Sequence, residues 1–127
     1  MADVIVPVSR SLFLCDSYAG HPGGRVDLTG IFTTIRPALY PHVRRFVAFA
    51  QLSGGLGNTP LFFTIRRDWD DELIRTTTER TIRFIDRVAP VNVAMTLEEV
   101  RFSEAGMYSV SLFCHNTWVC DTAVMLV

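Results

Sequence analysis

The residues able to do chemistry are few and scattered: three cysteines (Cys15, Cys114, Cys120), three histidines (His21, His42, His115) and a run of arginines between Arg75 and Arg87. Cys114, His115 and Cys120, with Cys15 as a further donor, are the obvious candidates for a metal. Their spacing lacks the C-x₂₋₄-C knuckle that brings two sulfurs onto one ion. Cys114 and Cys120 are alternatively a candidate redox pair across a hairpin, although cross-strand disulfides are strained and a reducing compartment keeps such thiols free. His21 and His42 adjoin Pro22 and Pro41 in turn-like stretches, where imidazoles are usually solvated. Either would need Asp16, Asp27 or Cys15 to meet it in space before it could act as a base. The chain has no G-x-S-x-G elbow or paired-carboxylate motif. No catalytic residue, cofactor site or metal site is expected, and a small hydrolase or metal protein is the least favoured reading.

Arg75, Arg80, Arg83 and Arg87, with Arg66 and Arg67 nearby, are candidate contacts for a polyanion, and Trp69 or Phe84 could stack a base. Glu79, Asp86 and the acidic turn at residues 68–72 interleave them, so a solvated, salt-bridged strand face competes with that reading. All 12 basic residues are arginine and lysine is absent, a bias that a GC-rich genome also produces. Against 13 acids the net charge is -1. That balance argues against a surface attractive everywhere to nucleic acid or anionic lipid.

What must position these side chains is one domain covering residues 1–127, because a second core would need roughly 50 to 100 further residues. The chain is 49% apolar, ample for that core. The start, with its early acid and Pro7, does not read as a signal peptide. Arginines or acids interrupt every apolar run well before the roughly 20 residues of a membrane-spanning helix. With an odd number of cysteines, this points to a cytoplasmic protein with reduced thiols.

Short runs rich in Val, Ile, Thr, Phe and Tyr alternate with period 2 between Gly, Pro and Asn clusters, the signature of antiparallel sheets. Strands are expected at residues 11–18, 25–35, 42–53, 61–67, 73–86, 91–102, 107–114 and 118–127. Gly30 interrupts the second, where a missing side chain suits a bulge or close backbone approach. Pro37 and Pro41 bracket a crossover between sheets. Residues 42–53 are apolar on both faces, as in a strand buried on two sides or one lying at an oligomer interface. In residues 73–86, Arg80 shares a face with Thr76, and Arg75 shares the other with Arg83.

Glu104, Ala105, Gly106, Met107 and Tyr108 enter an alternating strand in the pattern of a tyrosine corner, with Leu97 in the upstream apolar slot. A half-buried phenol there bonds the turn upstream and pins the crossover, so Tyr108 and Gly106 are expected to be structural. Val110 stands where an antibody domain would carry cysteine. The expected architecture is an all-β, two-sheet antiparallel sandwich, immunoglobulin-like, of about seven to nine strands; a C2-like or jelly-roll sandwich and a flattened barrel are the alternatives. Its closing hairpin has two registers. A three-residue loop at 116–118 sets Cys114 opposite Cys120 and collects the apolar residues on one face; a two-residue loop at Asn116-Thr117 separates the thiols. The first is preferred.

Three segments together, Ser11-Leu12-Phe13-Leu14-Cys15-Asp16, residues 24–32 around Gly30-Ile31-Phe32, and Pro37-Ala38-Leu39-Tyr40-Pro41-His42, resemble a family of short bacterial proteins of unknown function. In that family a Leu-Cys-Asp strand precedes a Gly-Ile-Phe strand and a proline-bracketed crossover, and a C-terminal Gly-x-Tyr strand matches residues 106–127. Its last hairpin usually turns on an Asp-Gly pair, where this chain has Asn116-Thr117. The resemblance implies a cytoplasmic bacterial β-sandwich and supplies no catalytic residues.

The expected function is therefore a non-enzymatic interaction or assembly module. The two-sided strand at 42–53 suggests a homo-oligomer or a protein partner, with no membrane role.

Overall fold

The computed structural model describes residues 4–127. Met1, Ala2 and Asp3, part of the stretch that does not read as a signal peptide, lie outside the described residues. No helix among those described is long and apolar enough to cross a membrane.

Eleven strands follow one another: β1 (Val8–Cys15), β2 (Ser17–Gly20), β3 (Val26–Thr29), β4 (Thr34–Ile35), β5 (His42–Ser53), β6 (Gly57–Arg67), β7 (Leu73–Thr76), β8 (Arg80–Phe84), β9 (Val91–Phe102), β10 (Gly106–Cys114) and β11 (Thr117–Leu126). The number exceeds seven to nine because three expected strands are each cut in two, at Asp16, at residues 30–33 and at residues 77–79. β6 also starts earlier than residue 61 and carries Pro60 within it.

β1, β5 and β9 form a three-stranded antiparallel sheet. The larger sheet runs β4-β11-β10-β6, with β7 and β8 sharing the far edge of β6, and only the two-residue β4 lies parallel to its neighbour. The inward-facing alternate residues of the two sheets make one core: Phe46, Ala48, Ala50 and Leu52 from β5 meet Leu61, Phe63 and Ile65 from β6 and Tyr108, Val110 and Leu112 from β10. The molecule is a β-sandwich, and neither sheet closes into a barrel.

The second apolar face of β5 has an intramolecular explanation. β2 and β3 form a hairpin of their own, and Tyr18 on it stacks on Phe49, with ring centroids 5.9 Å apart. Phe49, Val47 and Cys15 are almost fully buried yet stand outside the core between the two sheets. The hairpin is thus a third layer over the outside of β5. Its tip is held by Asn92 Nδ2, which donates to the Gly24 carbonyl at 3.2 Å. This removes the reason to place residues 42–53 at an oligomer interface.

Where the hairpin leaves and rejoins the sandwich, the Leu-Cys-Asp and Gly-Ile-Phe segments meet. The Phe32 N–H donates to the Leu14 carbonyl (3.0 Å), and the Asp16 N–H donates to that of Thr29 (2.9 Å). Gly30 has φ +71, and a Cβ there would strike the Asp16 carboxylate, so the close approach requires glycine. Arg44 donates to Asp16 Oδ1 at 2.6 Å while its guanidinium lies 4.2 Å from the centre of the Phe32 ring.

The corner before β10 has the expected geometry. The Tyr108 hydroxyl donates to the Glu104 carbonyl at 2.8 Å, and the ring is fully buried, edge-on to both Phe102 and Trp69. Gly106 has φ +140, and a Cβ there would run into Trp69, the lid over Tyr108. Arg67, over the Trp69 ring, also pairs with Asp70, Glu72 and Glu104. Its hydrogen bond holds the Asp70 carboxyl below the usual range.

Candidate docking surface

The four candidate polyanion contacts do not form one stripe. Pairing of β6 with β7 sets Arg75 opposite Ile65, and pairing with β8 sets Arg80 opposite Leu61. Both arginines therefore lie on the core side of the sheet edge. The register slips by one residue between the two strands, at Thr78-Glu79, and a slip of one reverses the faces. This corrects the expectation that Arg75 and Arg80 lie on opposite faces. Arg75 donates to the Glu98 carbonyl at 2.7 Å and Arg80 to the Ala94 carbonyl at 3.1 Å. Both carbonyls belong to β9, which pairs only with β5, so the two side chains lash the sheets together and occupy acceptors on an open strand edge. Arg87 donates to the Gly54 carbonyl at 3.1 Å, and only Arg83, opposite Asn58, faces outward. A double variant, Arg75→Ala with Arg80→Ala, is expected to lose about 1 kcal/mol of stability in urea titrations and to scatter more light on storage as β9 is uncovered.

Of the other candidates, His21 Nε2 lies 2.7 Å from Asp27 Oδ2 on the exposed hairpin, while Asp16 is bonded to Arg44. The Cys15 thiol donates to the Ser17 carbonyl at 3.4 Å, and burial, then the neighbouring Asp16, raise its pKa. The meeting of His21 with Asp27 thus has no nucleophile bonded to it. Among the described residues no group of three His, Cys, Asp or Glu side chains is placed to hold a metal ion.

The closing hairpin departs from the preferred register. It turns on His115 and Asn116, with φ of 50 and 58, the two left-handed residues of a type I′ turn. Cys114 is opposite Thr117 and Cys120 opposite Leu112. Val119 is an extra residue between the Phe113–Trp118 and Leu112–Cys120 pairs. Both thiols are on the core side and both are free. Burial, then the nearby Cys120, push the Cys114 thiol up to about 11, and burial raises Cys120 as well. Neither is an activated thiolate.

This register has a consequence on the opposite side of the sheet. Phe113 is opposite both Phe62 of β6 and Trp118 of β11. Three aromatic residues from adjacent strands therefore form one row on the outer face. Phe62 and Phe113 stack with centroids 5.2 Å apart and planes 7° from parallel, and Trp118 is 55% exposed. The next row is Thr64, Ser111 and Asp121, followed by Arg66, Ser109 and Ala123. The middle of the face thus carries small uncharged residues where a solvated sheet usually carries long charged ones. Charges stand at Asp121 on β11, Arg66 on β6 and Arg83 on β8, and Asp68, just past the end of β6, accepts a hydrogen bond from the Ser109 hydroxyl at 2.5 Å. Within this face Thr64 is already buried, whereas Trp118 at the hairpin end is open. The aromatic row lies at the hairpin end of this face, with polar and charged side chains beyond it, a mixture of the kind found in protein interfaces.

A family model described as a family of unknown function, DUF6941, matches residues 10–125, from β1 into β11. The chain belongs to that family. The match spans all three layers of the sandwich and both strands of the aromatic hairpin. No curated protein matches the sequence.

The aromatic row is hidden in the sequence because the preferred register sets Phe113 opposite Asp121 and puts Trp118 in the loop. The usable signal is His115-Asn116: asparagine and histidine are among the residues that best tolerate φ above zero.

Proposed function

We propose that this member of the family is a non-enzymatic binding module of immunoglobulin-like architecture, working in a reducing compartment such as the cytoplasm, and that it docks through the outer face of its larger sheet. The observation that carries the reading is the row Phe62, Phe113 and Trp118, flanked along the sheet by the small side chains of Thr64 and Ser111. The β1-β5-β9 and β6-β10-β11 groupings parallel the A-B-E and C-F-G strands of immunoglobulin domains, and the Tyr108 corner supports the same assignment. Three free cysteines suit a reducing compartment.

Radical footprinting tests the surface whatever the partner is. In concentrated extract of the source cells, oxidation of Trp118 is expected to fall several-fold relative to dilute purified protein. Trp69, 47% exposed at the opposite end of the sheet, is the internal reference and should change little. Equal oxidation of Trp118 in both conditions would remove this face from consideration.

A further inference from the structure

We infer that the β2–β3 hairpin is a flap, which lifts off the outer side of β5 about a fixed neck while the sandwich beneath it stays folded. The neck is where the two ends of the hairpin meet. There the Asp16 N–H donates to the Thr29 carbonyl at 2.9 Å, and the Phe32 N–H donates to that of Leu14 at 3.0 Å. Arg44 of β5 grips the Asp16 carboxylate from the sandwich. Past the neck the chain is held again, because the Met125 N–H donates to the Thr33 carbonyl and β4 pairs with β11. Both ends are therefore tied down independently of the hairpin's body, and neither β1 nor β4 must unravel for that body to lift.

The body is held far more thinly. β2 and β3 pair only with each other, so no backbone ladder joins them to β5. All four residues of β2 are exposed, as are Asp27 and Thr29 of β3. Among the described residues, one hydrogen bond reaches the tip from the sandwich, from Asn92 to the Gly24 carbonyl, and one aromatic contact holds the middle, Tyr18 on Phe49. Asn92 and Tyr18 are the catch; Asp16, Gly30 and Arg44 are the pivot. The ladder inside the hairpin survives lifting. Opening therefore costs mainly the exposure of Val47, Phe49 and Cys15 to water, whereas global unfolding exposes the whole core. An element with so few buried contacts opens at a fraction of the global free energy. The open form bares an apolar strip on β5 that continues into Phe13, the neighbour of Phe49 on β1. The flap is thus a gate over that strip, on the small sheet and separate from the aromatic row.

Cys15 reports the gate, because its thiol donates to the carbonyl of Ser17, the first residue of β2, and is uncovered when the hairpin lifts. The test is its rate of alkylation by iodoacetamide in the full chain, read by mass spectrometry beside urea titrations of global stability. Below the unfolding transition the wild-type rate is expected to be measurable and nearly flat in urea, since lifting exposes little surface. Tyr18→Ala should raise it about tenfold and Asn92→Ala about threefold. Val110→Ala or Val124→Ala, in the core shared by the closed and open forms, should raise the unfolding equilibrium constant about tenfold or more and leave the Cys15 rate unchanged. A Cys15 that is not labelled below the transition overturns the flap. So does a rate that climbs with urea along the global slope, or that rises in the core variants by the same factor as the unfolding constant. A rate unmoved by both Tyr18→Ala and Asn92→Ala overturns the catch.

Discussion

Tyr108→Ala is expected to lower the free energy of unfolding by about 4 kcal/mol, and Tyr108→Phe by about 1 kcal/mol. The alanine variant removes the largest fully buried side chain of the core. The rings of Phe102 and Trp69, with centroids 4.9 Å and 5.3 Å from that of Tyr108, would lose their edge-on partner and face a cavity. The phenylalanine variant keeps the packing and leaves only the Glu104 carbonyl without its donor. Glu104 is itself exposed, so water can replace the hydroxyl and the cost stays at the lower end. Urea titration with an unchanged m-value measures both. Equal costs for the two variants would mean that the hydrogen bond, not the packing, holds the corner; no cost for phenylalanine would mean that the bond does not pin it.

The second large effect concerns the third layer. Phe49→Ala should cost about 3 kcal/mol, because the ring is 2% exposed between β5 and the β2–β3 hairpin. Cys15 gives the selective readout. It is fully buried on the same outer face, whereas Cys114 is in the core between the sheets. A hairpin held by a few contacts opens as a local unit more often than the whole sandwich does. Cys15 is therefore expected to be alkylated by iodoacetamide before Cys114 in the wild type, and at least tenfold faster in Phe49→Ala. Mass spectrometry of timed samples resolves the two sites. Simultaneous labelling of both cysteines would show that the hairpin and the sandwich unfold together.

Much of the scaffold is legible in the residues. The extents of β5 and β9, the proline-bracketed crossover and the turn at Gly106 follow from alternation and from residues with few conformational options, and the structure places them as expected. The corner at Tyr108 can be read because acid, glycine and tyrosine at that spacing have one common use. Pairing across strands is harder. Alternation shows that a strand has two faces; it does not show which residue of the neighbour is opposite, and a shift of one residue reverses the answer. Both misplacements have that cause: the slip at Thr78-Glu79 brings Arg75 and Arg80 onto one face, and the turn at His115-Asn116 separates Cys114 from direct opposition to Cys120. The covering of β5 by β2 and β3 is hidden for another reason. A strand apolar on both faces reads the same whether its own chain or a second copy lies over it.

The extra residue at Val119 keeps the tip of the closing hairpin in phase with the sandwich. Along β11 Trp118 is opposite the outward Phe113 and Cys120 is opposite the inward Leu112, although the two are an even number of residues apart. In a regular strand that spacing would put both on the same side of the sheet. The bulge thus lets the chain show an indole to solvent two positions away from a thiol turned toward the core. Deletion of Val119 leaves both pairs and both orientations in place, and straightens the strand between them.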